Sequence, residues 1–239
     1  MTATARRAFL IVGSLVALLL VAALALPAVG RIVQSTNHES HDLPADLTHL
    51  ALEGAVGDIS IRAAGAGEEP GAEVTIRSSL TRPTVRVEVA GDRVEMSETC
   101  QGRWWDSCSV SWEIVVPADA EVVVASAVGD ITITDVTGAL SISSRVGSVT
   151  ATGIASPTVN ARSAVGDITV ELVAAPDEVR VTSSTGDITV TVPDDGTGYR
   201  VATDTSVGTV TNQVGSDPSQ SRLVDLGTSV GDIALRRGN

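Results

Sequence analysis

The sequence predicts an all-β solenoid, a stack of short β-strand rungs, that follows one membrane-spanning helix. Two observations predict the solenoid: apolar and polar residues alternate over most of the chain, and a glycine-centred phrase recurs about every twenty residues. A third observation, an uncharged apolar run near the start, predicts the helix. The 22 glycines and the few aromatic residues, three Trp, one Tyr and one Phe, favour short strands around an aliphatic core.

The N-terminal 30 residues form a separate unit. Residues 1–7 are a short tail, and residues 8–30 carry no charge. A helix of that length spans ~35 Å, more than the ~30 Å hydrocarbon layer, so residues 8–30 are predicted as a transmembrane signal-anchor helix. Arg6 and Arg7 favour a cytoplasmic N-terminus and an extracytoplasmic C-terminal domain of a single-pass cell-membrane protein. The alternative is secretion after cleavage, because Ala23-Leu24-Ala25 resembles a cleavage site and "RRAFL" partly resembles a twin-arginine signal.

The next segments differ in their patterning. Residues 31–46 are polar, contain a proline and show no periodicity, so they are predicted to be a tether. The stretch "HESHD" within it, with His38 and His41, would hold a metal only weakly, because nothing in a tether orients the ligands; we predict no metal site and no cofactor. Residues 47–121 alternate and are predicted to form an N-terminal β region, either as extra coils or as a small capping sheet.

Residues 122–239 are predicted to be the repetitive solenoid. The phrase "SAVGDITI" at 126–133 returns as "SAVGDITV" at 163–170, and its glycines follow one another at spacings of 18, 19, 20, 22 and 23 residues. An earlier copy lies at 57–58. A period of this kind is typical of rungs that bury their apolar faces only by stacking. The predicted turn-forming residues are Gly57, Asp58, Gly129, Asp130, Gly147, Gly166, Asp167, Gly186, Asp187, Gly208, Gly231 and Asp232.

Each copy of the phrase has the pattern of a corner between two strands. Isoleucines two residues apart after the glycine, such as Ile131 and Ile133, share one face and are expected in the core. The valines before the glycine are expected to point inward as well: Val128, Val165, Val207 and Val230. Glycine permits the bent backbone, and the following aspartate is expected to hold the corner by accepting a hydrogen bond from a nearby amide.

Stacked aspartates are also typical of calcium-binding β-rolls, so a calcium ladder is the alternative function of this column. Ser148 and Thr209 occupy the aspartate position in two of the seven copies, and neither brings charge to a metal. The glycine-rich nonapeptide of such rolls is also absent from the sequence. Turn capping is therefore the preferred interpretation.

The run "VPADAEVVVASAVGDITI" at 116–133 and the V-G-D-I steps after it resemble the DUF4097 family of β-strand-repeat domains, whose members are labelled "putative adhesins". The resemblance covers residues 50–235. It implies a right-handed β-helix-like domain, with rungs of 18–23 residues, that is tethered to a membrane in bacterial envelopes. It supplies no catalytic residues.

Within the N-terminal β region lies "CQGRWWDSC", with the two cysteines of the chain, Cys100 and Cys108. In an exported protein this pair favours a disulfide, which we expect at the base of a hairpin formed by residues 94–99 and 109–116. Trp104 and Trp105 in this loop are candidate contacts for a glycan, a peptide or a lipid headgroup. The preferred interpretation is that they cover the open end of the first coil, and ligand contact is the alternative.

Charge and histidine content exclude several classes of function. Beyond residue 31 the chain has 13 Arg against 29 acidic residues, a balance of −16 that disfavours nucleic acid as a partner. The three histidines all lie upstream of the repeats, at positions 38, 41 and 49, so no nucleophilic triad is visible and no enzyme is predicted. The leading hypothesis is a membrane-anchored extracytoplasmic adhesin or envelope-binding module with a glycan or protein partner. The alternative is a structural or sensory ectodomain that self-assembles or contacts another membrane protein.

Overall fold

The computed structural model describes residues 35–79, 81–100 and 108–238, and it is all-β in this part of the chain. Nineteen strands occur among these residues, and they form two sheets around one hydrophobic core. The predicted all-β class is confirmed. The predicted transmembrane helix, residues 8–30, lies outside the described residues. Within them, the structure contains no helix with the length and apolar character that a membrane span requires.

Seven rungs, each with one strand in each sheet, form the body of the described fold. In stacking order they are β2 (His49–Val56) with β3 (Ile59–Ala63), β8 (Glu121–Val128) with β9 (Ile131–Thr134), β10 (Leu140–Val146) with β11 (Val149–Ile154), β12 (Thr158–Val165) with β13 (Ile168–Leu172), β14 (Glu178–Thr185) with β15 (Ile188–Val192), β18 (Leu223–Val230) with β19 (Ile233–Arg237), and β16 (Arg200–Val207) with β17 (Val210–Asn212). The first strand of each pair belongs to sheet B and the second to sheet A. Neighbouring rungs pair parallel and in register, so equivalent residues stack.

The core is the aliphatic interior of these rungs. Val122 and Val124 of β8 and Ile131 and Ile133 of β9 are at most 1 % exposed, and the equivalent residues of the central rungs are buried in the same way. Because side chains alternate along a strand, one face of each strand lies in the core and the other in solvent. Parallel stacking then turns each interior position into a continuous aliphatic column.

The other five strands cap the first rung. They are β1 (Ser35–Asp42), β4 (Gly71–Ser78), β5 (Thr84–Ala90), β6 (Arg93–Thr99) and β7 (Cys108–Val116). In sheet A, β7 pairs parallel with β3, and β4 and β1 follow antiparallel. In sheet B, β6 pairs parallel with β2, and β5 follows antiparallel across a turn at Gly91. The predicted N-terminal β region, residues 47–121, therefore contains both an extra rung and a cap. Both sheets continue without a break from this region into the predicted solenoid, residues 122–239.

The predicted tether at 31–46 is wrong for most of its length. Residues 35–42 form β1, the edge strand of sheet A, with Ser35 opposite Ser78 and Asp42 opposite Gly71. Leu43 follows it into the core at 7 % exposure. An edge strand takes its ladder hydrogen bonds from the neighbouring backbone and needs no apolar pattern, so its polar composition concealed it.

The valines that precede the corner glycines do not point inward. Val128, Val165, Val207 and Val230 are 45 %, 49 %, 63 % and 47 % exposed. Ser126 of β8 pairs with Ser144 of β10, and the next pair along the strands is Val128 with Val146. Residues 127 and 145 are left out of the pairing, so the regular alternation is interrupted there. The last interior position of β8 is therefore Ser126, and the valine two residues later lies on the outer surface.

The last two rungs stack in the reverse of their order in the chain. The rung β18–β19, which comes last in the sequence, lies between β14–β15 and β16–β17, two rungs that precede it in the sequence. The inserted rung has the more apolar interior, with Val224 and Leu226 buried, whereas Val201 and Thr203 take the equivalent positions in β16 and are partly exposed. A rung with a polar interior is better suited to the end of a solenoid, because one of its faces lacks a neighbour.

Candidate functional site

The corner glycines of the repeats lie in one column that runs along the solenoid. In stacking order the column is Gly57, Gly129, Gly147, Gly166, Gly186, Gly231 and Gly208. A Cβ added to any of them would lie 2.0–2.2 Å from a backbone carbonyl oxygen, that of Val110 in the cap for Gly57 and that of the preceding corner glycine for the others, and their φ angles fall between 138° and 149°. Residues other than glycine rarely adopt such φ values, and the close approach of the neighbouring carbonyl oxygen leaves no room for a side chain. The repeat therefore needs glycine here for packing and for conformation.

The aspartates that follow the glycines connect one rung to the next. The Oδ1 atoms of Asp130, Asp167 and Asp187 accept hydrogen bonds from backbone N–H groups of the next rung, at Ser148, Asp187 and Asp232, each at 2.8 Å. Asp58 accepts from the Asp130 amide in the same way at 3.1 Å. These carboxylates therefore hold the stack together. Among the described residues, no three His, Cys, Asp or Glu side chains lie together in a group suited to a metal ion.

Asp232 links the inserted rung to the terminal one. Its Oδ1 accepts hydrogen bonds from the Thr209 backbone N–H at 2.7 Å and from the Thr209 hydroxyl at 3.0 Å. The backbone hydrogen bond first, and the hydroxyl second, lower the pKa of Asp232 below its ordinary value. A carboxylate with a lowered pKa stabilises the fold above its ordinary pKa and loses that effect as the pH falls through the lowered one.

We therefore expect wild-type protein to be more stable than Asp232→Asn at pH 6, and the difference to disappear as the pH falls below about 4. Thermal unfolding from pH 6 to pH 3 measures the difference. Asp225→Asn is the matched control, because Asp225 lies on the outer side of the same strand and its carboxylate accepts no hydrogen bond from the residues that the structure describes. A difference between wild type and Asp232→Asn that does not change with pH would contradict the assignment.

A second column, of buried hydroxyl groups, lies three residues before the glycines. It contains Ser126, Ser144, Ser163, Ser183 and Thr228, which are 5–7 % exposed. The Thr228 hydroxyl donates to the Gly186 carbonyl at 3.1 Å, and the Ser183 hydroxyl donates to the Gly166 carbonyl at 3.4 Å. Thr228 and Ser183 therefore give two corner carbonyls a partner inside the bend, whereas the buried hydroxyls of Ser126 and Ser163 have no hydrogen-bond partner among the described residues. The spacing [Ser/Thr]-x-x-Gly is visible in the sequence, but these hydroxyl residues were not among the predicted turn-forming residues.

A groove of about 580 Å³ runs along the solenoid beside these corners. Its walls come from five successive sheet B strands, β2, β8, β10, β12 and β14, together with Glu98 of β6. Most of the lining side chains are small or carry hydroxyls: Gly54, Ala125, Ser126, Ala127, Ser143, Ser144, Ser163, Ala164, Thr182, Ser183 and Ser184. Because small residues recur at the bend of every rung, the bend forms a continuous trough.

Two cations, Arg145 of β10 and Arg162 of β12, lie in the middle of this groove on neighbouring strands. Both are exposed, and neither forms an ion pair or side-chain hydrogen bond with any residue in the described part of the chain. Arg180, on the next strand, is different, because its guanidinium is paired with Glu178. Arg145 and Arg162 were not among the predicted site residues, since scattered arginines show no pattern before the rungs are stacked.

The acidic end of the groove is held by the cap. Glu98 is 7 % exposed; its Oε1 accepts the Val56 amide at 3.1 Å and its Oε2 accepts the Trp112 indole N–H. Trp112, on β7, is fully buried. A buried carboxylate is costly unless hydrogen bonds satisfy it, and these donors do so. Glu98 therefore joins a sheet B strand to a sheet A strand across the end of the core.

The disulfide between Cys100 and Cys108 is formed, with a Cα–Cα distance of 5.9 Å. The predicted hairpin around it is wrong, because β6 belongs to sheet B and β7 to sheet A. β6 pairs with β2 and β7 pairs with β3, so the disulfide closes the connection that runs from one sheet to the other. Trp104 and Trp105, the candidate ligand contacts, lie outside the described residues.

Removing this bridge should lower stability by a moderate amount. The cysteines are separated by 8 residues, and closing so short a loop stabilises a fold by about 2 kcal/mol through the entropy of the unfolded chain. We expect Cys100→Ser with Cys108→Ser to lose this amount in urea unfolding, and reduced wild type to match the variant. Equal free energies of unfolding for oxidised and reduced wild type would contradict this expectation.

The histidines do not contribute to the groove. His38 and His41 lie on β1, where His38 contacts the Thr75 hydroxyl at 3.1 Å, and His49 on β2 lies 3.3 Å from a carboxylate oxygen of Glu121. None of the three lines the groove. The groove therefore offers cations and hydroxyls, and histidine is not part of it.

Together these features define a class of protein: a two-sheet, mainly parallel β-solenoid with stacked glycine corners and an open polar groove. The chain belongs to the DUF4097 family, since the family described as Toastrack DUF4097 matches residues 44–236. No curated protein matches the chain.

Two solved structures share the fold at low sequence identity. One is a "putative cell adhesion protein" from Clostridium sporogenes ATCC 15579, at 13 % identity and a TM-score of 0.50, over 85 % of this chain and 100 % of that one. The other is a "putative adhesin" from Bacteroides fragilis NCTC 9343, at 17 % identity and a TM-score of 0.52, over 85 % of this chain and 97 % of that one. At such identities the likeness concerns the fold.

Proposed function

We propose that this protein is a non-enzymatic binding module of the cell surface, and that its groove contacts a component of the envelope. The observation that carries the proposal is the groove itself, which crosses five rungs and presents two unpaired guanidinium groups among small hydroxyl-bearing side chains. The adhesin descriptions of the two structural neighbours support a surface role.

In this proposal residues 8–30 anchor the domain in the membrane. Because β1 begins at Ser35, four residues, 31–34, separate the apolar run from the folded domain, and they span at most ~14 Å. The strand that receives the chain is the outer edge of the cap. The cap end would therefore lie close to the membrane, and the β16–β17 rung, roughly 29 Å along the stack from β2–β3, would point away from it.

The test uses the full chain, purified in nanodiscs, and an envelope fraction of the producing cells. We expect the protein to sediment with this material and to be displaced by an excess of unlabelled protein. Protease added to intact cells should digest the β domain if it is exported, and the mass of the N-terminal peptide shows whether the apolar segment is retained. Failure to bind any envelope material would overturn the proposed function.

A second candidate function is self-association, and the exposed valines favour it. Val128, Val146 and Val165 occupy one register position on the successive strands β8, β10 and β12 and are 43–49 % exposed. Thr185 takes this position on β14, and Val230, 47 % exposed, takes it on β18. An aliphatic stripe of this kind is a surface on which another protein can pack. Sedimentation of the full chain in nanodiscs that hold one or several copies, with Val146→Ser and Val165→Ser as the comparison, distinguishes self-association from monomeric binding.

A further inference from the structure

We propose that the groove binds an anionic, hydroxyl-rich polymer, and that Arg145 and Arg162 are the residues that bind its anionic groups. The chemistry fits an acidic polysaccharide, whose anions are carboxylates, or a polyol-phosphate chain, whose anions are phosphates. The inference rests on the proposed surface-binding function and specifies the class of ligand for the same groove.

The two guanidinium groups are placed to act together. Arg162 on β12 lies opposite Ser143 on β10, and Arg145 follows Ser143 by two residues on that strand. The two strands are hydrogen-bonded neighbours, so their backbones are ~4.8 Å apart and the two arginines are diagonal neighbours on the surface. Long side chains at such positions reach a common anion or two successive anions of one chain.

Room for the ligand comes from the residues around each arginine. Ala127 and Ala164 hold the position of Arg145 on the rungs to either side, so methyl groups flank its guanidinium. Arg162 lies between Ser143 and Thr182, which stand opposite it on the neighbouring strands. A guanidinium group binds carboxylate or phosphate with two parallel hydrogen bonds, and the adjacent hydroxyls can bond sugar or polyol oxygens.

The surrounding charge makes these two cations distinctive. The chain beyond residue 31 has 13 Arg against 29 acidic residues, yet the middle of the groove has two free cations on adjacent rungs. Its two acidic residues, Glu53 and Glu98, lie on β2 and β6 at one end, and hydrogen bonds from Val56 and Trp112 already satisfy Glu98. Positive and negative positions are thus separated along the groove, which favours an anion at β10–β12.

The shape and composition of the groove favour a polymer over other anions. Five strands at ~4.8 Å spacing give a trough about 19 Å long, several sugar or polyol units in length. Among the residues that the structure describes, no aromatic side chain lines it, so they provide none of the stacking surfaces that single-stranded nucleic acids require. An extended chain with repeated anions and hydroxyls matches both features.

The test measures binding of the full chain, in nanodiscs of zwitterionic lipid, to polygalacturonate, poly(glycerol phosphate) and neutral dextran. We expect wild type to bind at least one acidic polymer, more weakly at high salt, and to ignore dextran. Arg145→Ala with Arg162→Ala should weaken that binding about tenfold or more, since the charge-assisted hydrogen bonds from both guanidinium groups are lost. The matched control, Arg200→Ala with Arg236→Ala, removes two exposed arginines outside the groove and should bind within about twofold of wild type.

Ala164→Trp provides a second variant without a change of charge. It fills the trough between the two arginines and should weaken binding as strongly as the double arginine variant, at an unchanged melting temperature. Preference for polygalacturonate identifies a carboxylate-bearing glycan, and preference for poly(glycerol phosphate) a polyol phosphate. Equal binding to dextran, binding to neither acidic polymer, or equal losses in both arginine pairs would overturn the inference. Envelope binding that survives Arg145→Ala with Arg162→Ala would overturn it while leaving the proposed function intact.

Discussion

Gly166→Ala is expected to destabilise this domain strongly. The new Cβ would lie 2.1 Å from the Gly147 carbonyl oxygen and 3.2 Å from the Ser148 nitrogen, at a φ of 142°. Both atoms belong to the backbone of the neighbouring rung, which the Gly147 N–H holds in place through a 2.9 Å bond to Val165. Relief of the clash must break the ladder, so we expect a loss of about 4 kcal/mol or more out of the 5–15 kcal/mol typical of a domain.

Two other glycines separate the clash from the backbone strain. Gly196 has a φ of 81° with nothing within 4 Å of its added Cβ, so Gly196→Ala should cost only about 1–2 kcal/mol. Gly227 has an ordinary φ and no atom nearer than 4.0 Å, so Gly227→Ala should change stability by less than about 1 kcal/mol. Urea unfolding measures all three free energies. Equal losses for Gly166→Ala and Gly196→Ala would show that rung packing does not limit the corner.

Trp112→Ala should produce the second large effect. Trp112 is fully buried on β7, between the cap and the first rung, and its indole N–H donates to the buried carboxylate of Glu98. The substitution leaves a large cavity and takes a donor from Glu98 at the same time. Removal of a buried tryptophan costs about 3–5 kcal/mol through lost packing, and a buried carboxylate without its donor adds to that loss. Chemical unfolding measures the change.

A smaller substitution isolates the hydrogen bond. Trp112→Phe keeps most of the ring volume but removes the N–H, so we expect a loss of about 2 kcal/mol. In Glu98→Gln the acceptor is neutral, and the further effect of Trp112→Phe in that background should be smaller. The double-mutant cycle gives the coupling energy between the two residues. A coupling energy of zero would show that Glu98 and Trp112 contribute independently.

The candidate site was far less predictable than the corners. Arg145 and Arg162 are 17 residues apart in the sequence, and they become neighbours only because β10 and β12 pair with Ser143 opposite Arg162. The alternation of inward and outward side chains also gave a wrong prediction at the bend, where Val128 and Val165 were expected in the core and lie on the surface. Regular alternation holds for a continuous strand, and the interruption before each glycine ends it.

The sequence by itself determined the repeating unit: its period, its glycine corners and the paired aliphatic residues, such as Ile168 and Val170, that form the core. These are local properties, since φ preference and two-residue alternation act within a single rung. The tertiary structure decided what depends on contacts between rungs: the place of β1 at the sheet edge, the exchange of the last two rungs, and the groove across five strands. The physical reason is that a polar edge strand, a polar end rung and two distant arginines acquire their roles only from the strands that come to lie beside them.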